Sequence, residues 1–334
     1  LVFSIASFTL SLSLISLISF KYVNSFEPKF TISHPIYTFT FIAARTIIVY
    51  IRGIKRFTRG KEIVMSKIST DKISVQMYTL RDHTQTKDDL SSTLKRLADM
   101  GFKNVQYTLQ NFLTADEAKE LLSNYGLKND SPYCADLYNF DADKDNLMHQ
   151  LTVFDTPYLR ISSVPRSENN TDGILRFASE VNRIGKELAH DGIKLLYHFH
   201  SFEFYKENSK TMIELLLENT NPEYMQIMPD IFWIADGGAA PADFLSAYAN
   251  RFDFIHIKDY AISKINPETN RCTNEFAAVG DGNLNIPSIL NITEKNDTKM
   301  YIIEQDETYG RDAFDEVKRS FDYLMSYESK GGRI

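Results

Sequence analysis

The chain has 334 residues, of which 43% are hydrophobic and 24% are charged, a balance typical of a folded globular protein with a sizeable core. Residues 1–64 carry eight Lys or Arg and two Glu, which leaves 29 of the 37 cations, 42 of the 44 acids and a net charge of −13 in residues 65–334. A domain with this much negative charge repels the phosphate backbone of a nucleic acid, which argues against nucleic acid as a partner. Two cysteines, Cys134 and Cys272, are too few for a disulfide framework and are interpreted as free thiols in a reducing compartment.

The first 64 residues are interpreted as an apolar and basic extension that precedes a single domain over residues 65–334. Residues 1–20 contain no charged side chain, and twenty residues in a helix are long enough to cross a bilayer. The basic residues after position 51 would then be the cytoplasmic flank of a membrane anchor. Because Met65 stands just ahead of the first predicted strand, we favour an over-extended gene model or a removed segment. The protein is then expected in the cytoplasm, and it is expected at a membrane only if residues 1–64 are retained.

From Met65 onward, strand patterns alternate with helix patterns. The predicted helices with apolar residues at helical spacing cover residues 87–100, 114–126 and 171–190. The first four predicted strands cover residues 73–78, 103–107, 128–134 and 157–161, and four more end near Glu203, Asp230, His256 and Glu304. The third strand is poor because it contains Pro132. Eight repeats without a glycine-rich phosphate fingerprint after the first strand predict an α/β fold of the (β/α)8 TIM barrel class rather than a doubly wound sheet.

Those four side chains, Glu203, Asp230, His256 and Glu304, each follow or close a short apolar run and are typical metal ligands. The intervals between them are 27, 26 and 48 residues, and one strand–helix repeat of a barrel takes about 25–30 residues. They are therefore expected at the strand ends that face the βα-loops. Three carboxylates and one imidazole that converge there would repel one another without a divalent cation, with Mn²⁺ or Mg²⁺ expected first and Co²⁺ or Zn²⁺ as alternatives.

Five further residues are candidates for binding a substrate. His198 and His200 are two residues apart, so they point to the same face of the fifth strand and could reach substrate hydroxyls. The alternative is that each is a hydrogen-bonded core histidine. Lys258 is two residues after His256 and is expected to point into the same barrel mouth. There it could contact an oxyanion of the substrate or form a salt bridge. Trp233 is a candidate wall for a sugar ring, or core packing. Arg81 is a candidate clamp for an anionic group, or an exposed loop residue.

Seven motifs follow one another along residues 73–326, and in this order they resemble the sugar phosphate isomerases/epimerases of the xylose isomerase-like barrel superfamily. The motifs are VQMYTLRD (75–82), MGFKNVQ (100–106), YHFHSFEF (197–204), PDIFW (229–233) with Gly237 and Gly238, IHIKD (255–259), VGDGNLN (279–285) and YIIEQDE (301–307).

The resemblance implies a metal-dependent isomerase or epimerase of a small carbohydrate that works by proton transfer through an enediolate. It implies that Glu203, Asp230, His256 and Glu304 are the metal ligands and that Glu203 and Glu304 are also the acid/base pair. The sequence departs from the family pattern at Gln106, Phe199, Tyr133 and Trp233, where the family commonly has Glu, Asn, His and, in the ketose epimerases, a substrate-contacting His. These departures leave the substrate and the reaction subtype open.

Three alternatives remain at this point. The first is a dehydratase of the same barrel that acts on a keto-inositol or a keto-acid and uses the same metal. The second is an abasic-site endonuclease, which would need more metal ligands and a basic face. The third is a membrane-tethered, non-catalytic sugar-binding protein. No oligomeric state is predicted.

Overall fold

The computed structural model describes residues 68–327, so the predictions for residues 1–64 lie outside the described part of the chain. Within it, eight parallel strands alternate with helices, which confirms the predicted (β/α)8 barrel. The barrel strands are β1 (Ile73–Gln76), β2 (Asn104–Gln106), β3 (Lys128–Asn129), β4 (Tyr158–Ser162), β5 (Lys194–His198), β8 (Met225–Met228), β9 (Phe254–Ile257) and β12 (Met300–Ile303). Two hairpins are formed by β6 (Lys206–Glu207) with β7 (Lys210–Thr211) and by β10 (Asp259–Ile262) with β11 (Asn274–Ala277).

The helices begin and end where local sequence signals place them. Thr114 caps the second helix through a capping box: its Oγ1 accepts from the Glu117 N–H at 3.2 Å, and the Glu117 carboxylate accepts from the Thr114 N–H at 2.9 Å. Gly101, with a φ of +105°, ends the first helix. The helices are α1 (Lys87–Met100), α2 (Ala115–Asn124), α3 (Phe140–Phe154), α4 (Thr171–His190), α5 (Met212–Asn219), α6 (Ile231–Asp236), α7 (Pro241–Ala247), α8 (Ile286–Lys295) and α9 (Ala313–Ser326). No helix among residues 68–327 has both the length and the apolar character needed to span a bilayer.

Two seams join a five-stranded sheet, β3-β2-β1-β12-β9, to a three-stranded sheet, β4-β5-β8. At each seam the ladder is reduced to an isolated parallel bridge, Tyr133 with Arg160 and Asp230 with His256. A proline precedes both bridges and cannot donate to a ladder, but Pro132 and Pro229 still accept backbone hydrogen bonds through their carbonyl oxygens. Arg160, Asp230 and His256 therefore lie where the barrel closes.

The structure corrects two predicted strands. The third strand was expected over residues 128–134, but it contains only Lys128–Asn129, and Tyr133 then makes the single bridge described above. The fifth strand is predicted to end near Glu203, but it ends at His198. Glu203 lies instead in a short 3-10 helix over Ser201–Phe204. The longer interval between His256 and Glu304 is explained by the β10–β11 hairpin and α8, which lie between β9 and β12.

The loop over residues 280–284 wraps around a carboxylate of the chain itself. Asp259 is fully buried, and it accepts backbone N–H groups from Gly280 at 3.0 Å, Gly282 at 3.2 Å and Leu284 at 3.2 Å. A Cβ at Gly282 would lie 2.2 Å from an oxygen of Asp259, so only glycine fits there. The amide groups of this loop therefore bind a carboxylate of the protein itself.

Candidate metal centre

Four buried donors lie together at the carboxyl ends of four barrel strands. They are His198 at the end of β5, Asp230 two residues after β8, His256 in β9 and Glu304 directly after β12. One ligand atom from each lies within 4.8 Å of the ligand atoms of the other three. Parallel strands bring their carboxyl ends to one rim of a barrel, and the register pairs Asp230 with His256 and Ile302 with His256. The local sequence thus delivers one donor from each of four strands to one point.

The imidazole groups of this cluster are held by neighbouring side chains. His256 Nδ1 lies 2.7 Å from Glu304 Oε2, and its Nε2 lies 3.0 Å from Gln106 Oε1. The rings of His198 and His256 stack with their centroids 4.4 Å apart. Burial, together with the nearby His256, lowers the pKa of His198 to about 3. His198 is therefore neutral at physiological pH, which is the form that binds a metal.

Lys258 shares the carboxylates of the cluster. Its fully buried Nζ lies 3.1 Å from Asp230 Oδ2 and 2.9 Å from Glu304 Oε2, and it donates to both oxygens of Asp306 at 3.1 Å. Burial by itself would lower the pKa of Lys258, but the three surrounding carboxylates raise it. Burial likewise opposes ionisation of Asp230 and Glu304, yet the ammonium group holds the pKa of each below its usual range. The site therefore contains two ionised carboxylates beside a permanent cation.

A cavity of about 420 Å³ opens onto this cluster. His198, His256, Lys258 and Glu304 form part of its wall. His200, another sequence candidate, also lines it, and the His200 Nδ1 lies 2.6 Å from Ser163 Oγ. A polar cavity of this volume beside several titratable groups has the form of a site for a small polar ligand.

Glu203 is the predicted ligand that the structure does not bring into this group. Its side chain is fully buried, where Oε1 accepts from the Tyr197 hydroxyl at 2.7 Å and Oε2 accepts from the His200 backbone N–H at 2.9 Å. The turn over Ser201–Phe204 gives Glu203 this role, because the carboxylate closes the first turn of the 3-10 helix. His198 supplies the fourth donor instead, so the cluster has two imidazoles and two carboxylates rather than the expected one and three.

Two other sequence candidates, Arg81 and Trp233, lie outside the wall of this cavity. Arg81 is not part of the cavity wall; it donates to the Asp306 carbonyl and to Glu307 Oε1, both at 2.7 Å, and so fastens the loop after β12. Trp233 is half-buried, with its ring centroid 5.2 Å from that of His200 and 5.1 Å from Lys258 Nζ. It backs the cavity residues without forming the wall.

The sequence does not single out Arg160, and it does not predict that His198 joins the donor cluster. Arg160 is part of a predicted strand, although a charged side chain in the middle of an apolar strand is itself a signal. The sequence indicates a substrate contact or a core histidine for His198, although this residue closes an apolar run as the other donors do. Both residues lie in the wall of the cavity.

Comparisons with known proteins agree with this architecture. A curated relative is the inosose dehydratase of Mesomycoplasma hyopneumoniae (strain J), 29% identical over 160 residues, which are 45% of this chain and 53% of the relative. The chain therefore spans about half the length of the curated relatives it matches. Similar solved structures include a sugar phosphate isomerase/epimerase from Parabacteroides distasonis (TM-score 0.66, 23% identity, 79% of this chain and 96% of that chain) and a probable 3-DHS dehydratase from Bacillus anthracis (TM-score 0.57, 15% identity, 76% and 98%).

A family model described as the xylose isomerase-like TIM barrel matches residues 94–327, well over half of the 334 residues. That match begins within α1 and ends after α9, so it covers seven of the eight barrel strands and all four donors. The chain therefore belongs to the xylose isomerase-like TIM barrel family.

Proposed function

We propose that this protein is a divalent-metal-dependent isomerase or epimerase that moves a proton next to a carbonyl group of a small carbohydrate, through an enediolate. The observation that carries the proposal is the cluster of His198, Asp230, His256 and Glu304 at the carboxyl ends of the strands. Three of its members, His198, His256 and Glu304, line a polar cavity. Barrel enzymes keep their chemistry at this rim.

The donor set fits a divalent cation. Two imidazole nitrogens and two carboxylate oxygens within 4.8 Å of one another need only a small contraction to surround one ion. Lys258 forms ion pairs with Asp230 and Glu304, and it also forms one with Asp306. Lys258 therefore keeps Asp306 as a partner when a divalent cation binds to Asp230 and Glu304. A bound divalent ion would polarise a carbonyl oxygen and make the adjacent carbon more acidic.

The residues of the chain would hold the substrate and move its proton. Lys258 supplies a permanent positive charge to an oxygen that becomes negative during the reaction. His200 is a candidate proton carrier, because Ser163 engages its Nδ1 and leaves Nε2 for the ligand. Burial, opposed by the charge of Asp230, lowers the pKa of His200 to about 4, so the imidazole is neutral at pH 7 and can accept a proton. Glu304 is the second candidate, as the sequence predicted.

A dehydratase is the second candidate function, favoured by the curated relatives that are named inosose dehydratase. Both reactions begin with the same proton removal, and they differ in whether the intermediate takes the proton back or expels a neighbouring hydroxyl group. The metal cluster supports both.

Solvent exchange tests the proposal. The metal-loaded protein is incubated in D2O with ketoses, aldoses, their phosphates and inososes, and the products are followed by NMR and mass spectrometry. An isomerase or epimerase is expected to place deuterium on a carbon next to a carbonyl and to conserve the hydroxyl groups of the substrate. Loss of water with a new conjugated absorbance would identify the dehydratase. Neither exchange nor product with any of these compounds would contradict the proposal.

The second imidazole predicts which metal binds best. We expect Mn²⁺, Co²⁺ and Zn²⁺ to bind at least about 10-fold more tightly than Mg²⁺, because imidazole nitrogen favours the later metals and Mg²⁺ prefers oxygen. Competition titrations against a coloured chelator measure the affinities. The variant His198→Glu has the three carboxylates and one imidazole that the sequence predicted. We expect its affinities for Mg²⁺ and for the other three metals to differ less than those of the wild-type protein. Equal affinities of the wild-type protein for Mg²⁺ and Mn²⁺ would count against nitrogen ligation by His198.

A further inference from the structure

Arg160, on β4, carries a buried positive charge whose hydrogen-bond donors are mostly unused. The residue is 5% exposed and lines the same cavity as His198, His256 and Glu304. Its Nη2 donates to Thr108 Oγ1 at 2.7 Å, and this is the one side-chain hydrogen bond of the guanidinium group within residues 68–327. Nε is buried without a partner in that part of the chain. A guanidinium group has five N–H donors, so most of its capacity is free.

The charge of Arg160 is also without an ion pair among the described residues, where no carboxylate oxygen comes within 4.0 Å of its nitrogens. Asp130 is the carboxylate with the largest effect on the pKa of Arg160, and it already accepts hydrogen bonds from the Ser74 hydroxyl at 2.6 Å and the Ser131 hydroxyl at 2.7 Å. Burial lowers the pKa of Arg160, and Asp130 only partly opposes this effect. A buried charge without a partner costs stability, so a folded protein that retains one has a use for it.

The other buried cation of the cavity wall has the opposite environment. Lys258 is surrounded by three carboxylates, whereas Arg160 has the ring of Tyr133 4.7 Å from its guanidinium carbon and the Thr108 hydroxyl on one nitrogen. Thr108 and Tyr133 fix the plane of the guanidinium group but do not neutralise it. Carboxylates of the protein balance the charge of Lys258, whereas Arg160 faces the cavity without such a partner among the described residues.

We propose that Arg160 binds an anionic oxygen group, a carboxylate or a phosphate, of the molecule that enters the cavity. A planar guanidinium fork pairs with both groups through charged hydrogen bonds. The inference deepens the proposed function and rests on it for the carbohydrate framework: the substrate is an acidic sugar derivative rather than a neutral sugar.

The test compares sugars that differ in one group. D-glucose, D-glucuronamide, D-glucuronate and D-glucose 6-phosphate are titrated into the full-length protein, by calorimetry or NMR, both after removal of metal with EDTA and after loading with Mn²⁺. We expect an anionic sugar to bind at least about 10-fold more tightly than the two neutral ones. Preference for glucuronate identifies a carboxylate, and preference for the 6-phosphate identifies a phosphate. Equal binding of all four sugars, or binding of none, overturns the proposal.

Variants assign the preference to one residue. Arg160→Gln is expected to abolish the preference, and Arg160→Lys, which keeps the charge without the fork, to retain part of it. Arg251→Gln is the matched control, because Arg251 also has a buried Nε without a partner among the described residues but is not in the wall of this cavity. An unchanged preference in Arg160→Gln overturns the proposal. Because these titrations need no turnover, a failed exchange experiment in D2O would contradict the proposed reaction and leave the anion site standing.

Discussion

Replacing Glu304 with Gln is expected to lower kcat/KM by at least about 1,000-fold and to release the bound metal, since a charged ligand in such a site contributes several kcal/mol. Glu304 Oε2 lies 2.7 Å from His256 Nδ1 and 2.9 Å from Lys258 Nζ. A neutral amide offsets neither the ammonium group nor a divalent ion, and it leaves Lys258 less well paired. The measurements are metal content per chain after gel filtration and kcat/KM on the substrate that the exchange experiment identifies.

Glu203→Gln is the matched control, because both glutamates are buried and both substitutions are isosteric. The sequence predicted both residues as ligands and as the acid/base pair, whereas Glu203 is bound to the Tyr197 hydroxyl and the His200 backbone. We expect Glu203→Gln to keep its metal and to stay within about 10-fold of the wild-type kcat/KM. Loss of metal from Glu203→Gln with retention in Glu304→Gln would show that the proposed ligand set is wrong and the sequence prediction right.

Glu203 is also expected to make the stability of the protein depend on pH. Burial raises the pKa of Glu203 from 4.5 to about 7, although the Tyr197 hydroxyl and the His200 N–H favour the ionised form. The folded state therefore binds this proton more tightly than the unfolded state does. Its contribution to stability is fully present below pH 4.5 and is lost as the pH rises through about 7. The loss amounts to about 3 kcal/mol, at 1.36 kcal/mol for each pKa unit.

The measurement is the free energy of unfolding in urea at several pH values from about 4.5 to about 8, for wild type and for Glu203→Gln. The amide side chain of this variant imitates the protonated carboxyl group, so the variant is expected to gain about 3 kcal/mol relative to wild type across this range. Tyr197 faces Glu203 and stays neutral throughout, because burial and the nearby carboxylate raise its pKa well above 10. Parallel curves for the two proteins would contradict the shift of the Glu203 pKa.

Much of the architecture follows from signals between neighbours in the chain. The apolar stripe of α4 buries Ile174, Phe177 and Val181, and the capping box at Thr114 starts α2 at the residue that the sequence indicates. The repeat of 26 or 27 residues predicted that Asp230 and His256 lie on adjacent strands, and the structure pairs them in a bridge. Each of these features depends on spacing, which the sequence contains directly.

The sequence by itself determined the barrel, the order of its elements and the convergence of Asp230, His256 and Glu304, because helical and strand periodicity and the length of a repeat are local properties. Only the tertiary structure decided that His198 rather than Glu203 joins them, since the choice depends on how the chain turns after β5 and on the Tyr197 hydroxyl that holds the Glu203 carboxylate. It also decided that Arg160 faces the cavity without a carboxylate partner among the described residues. Charge balance inside a barrel is set by residues from different strands, and no local pattern records which of them remain unpaired.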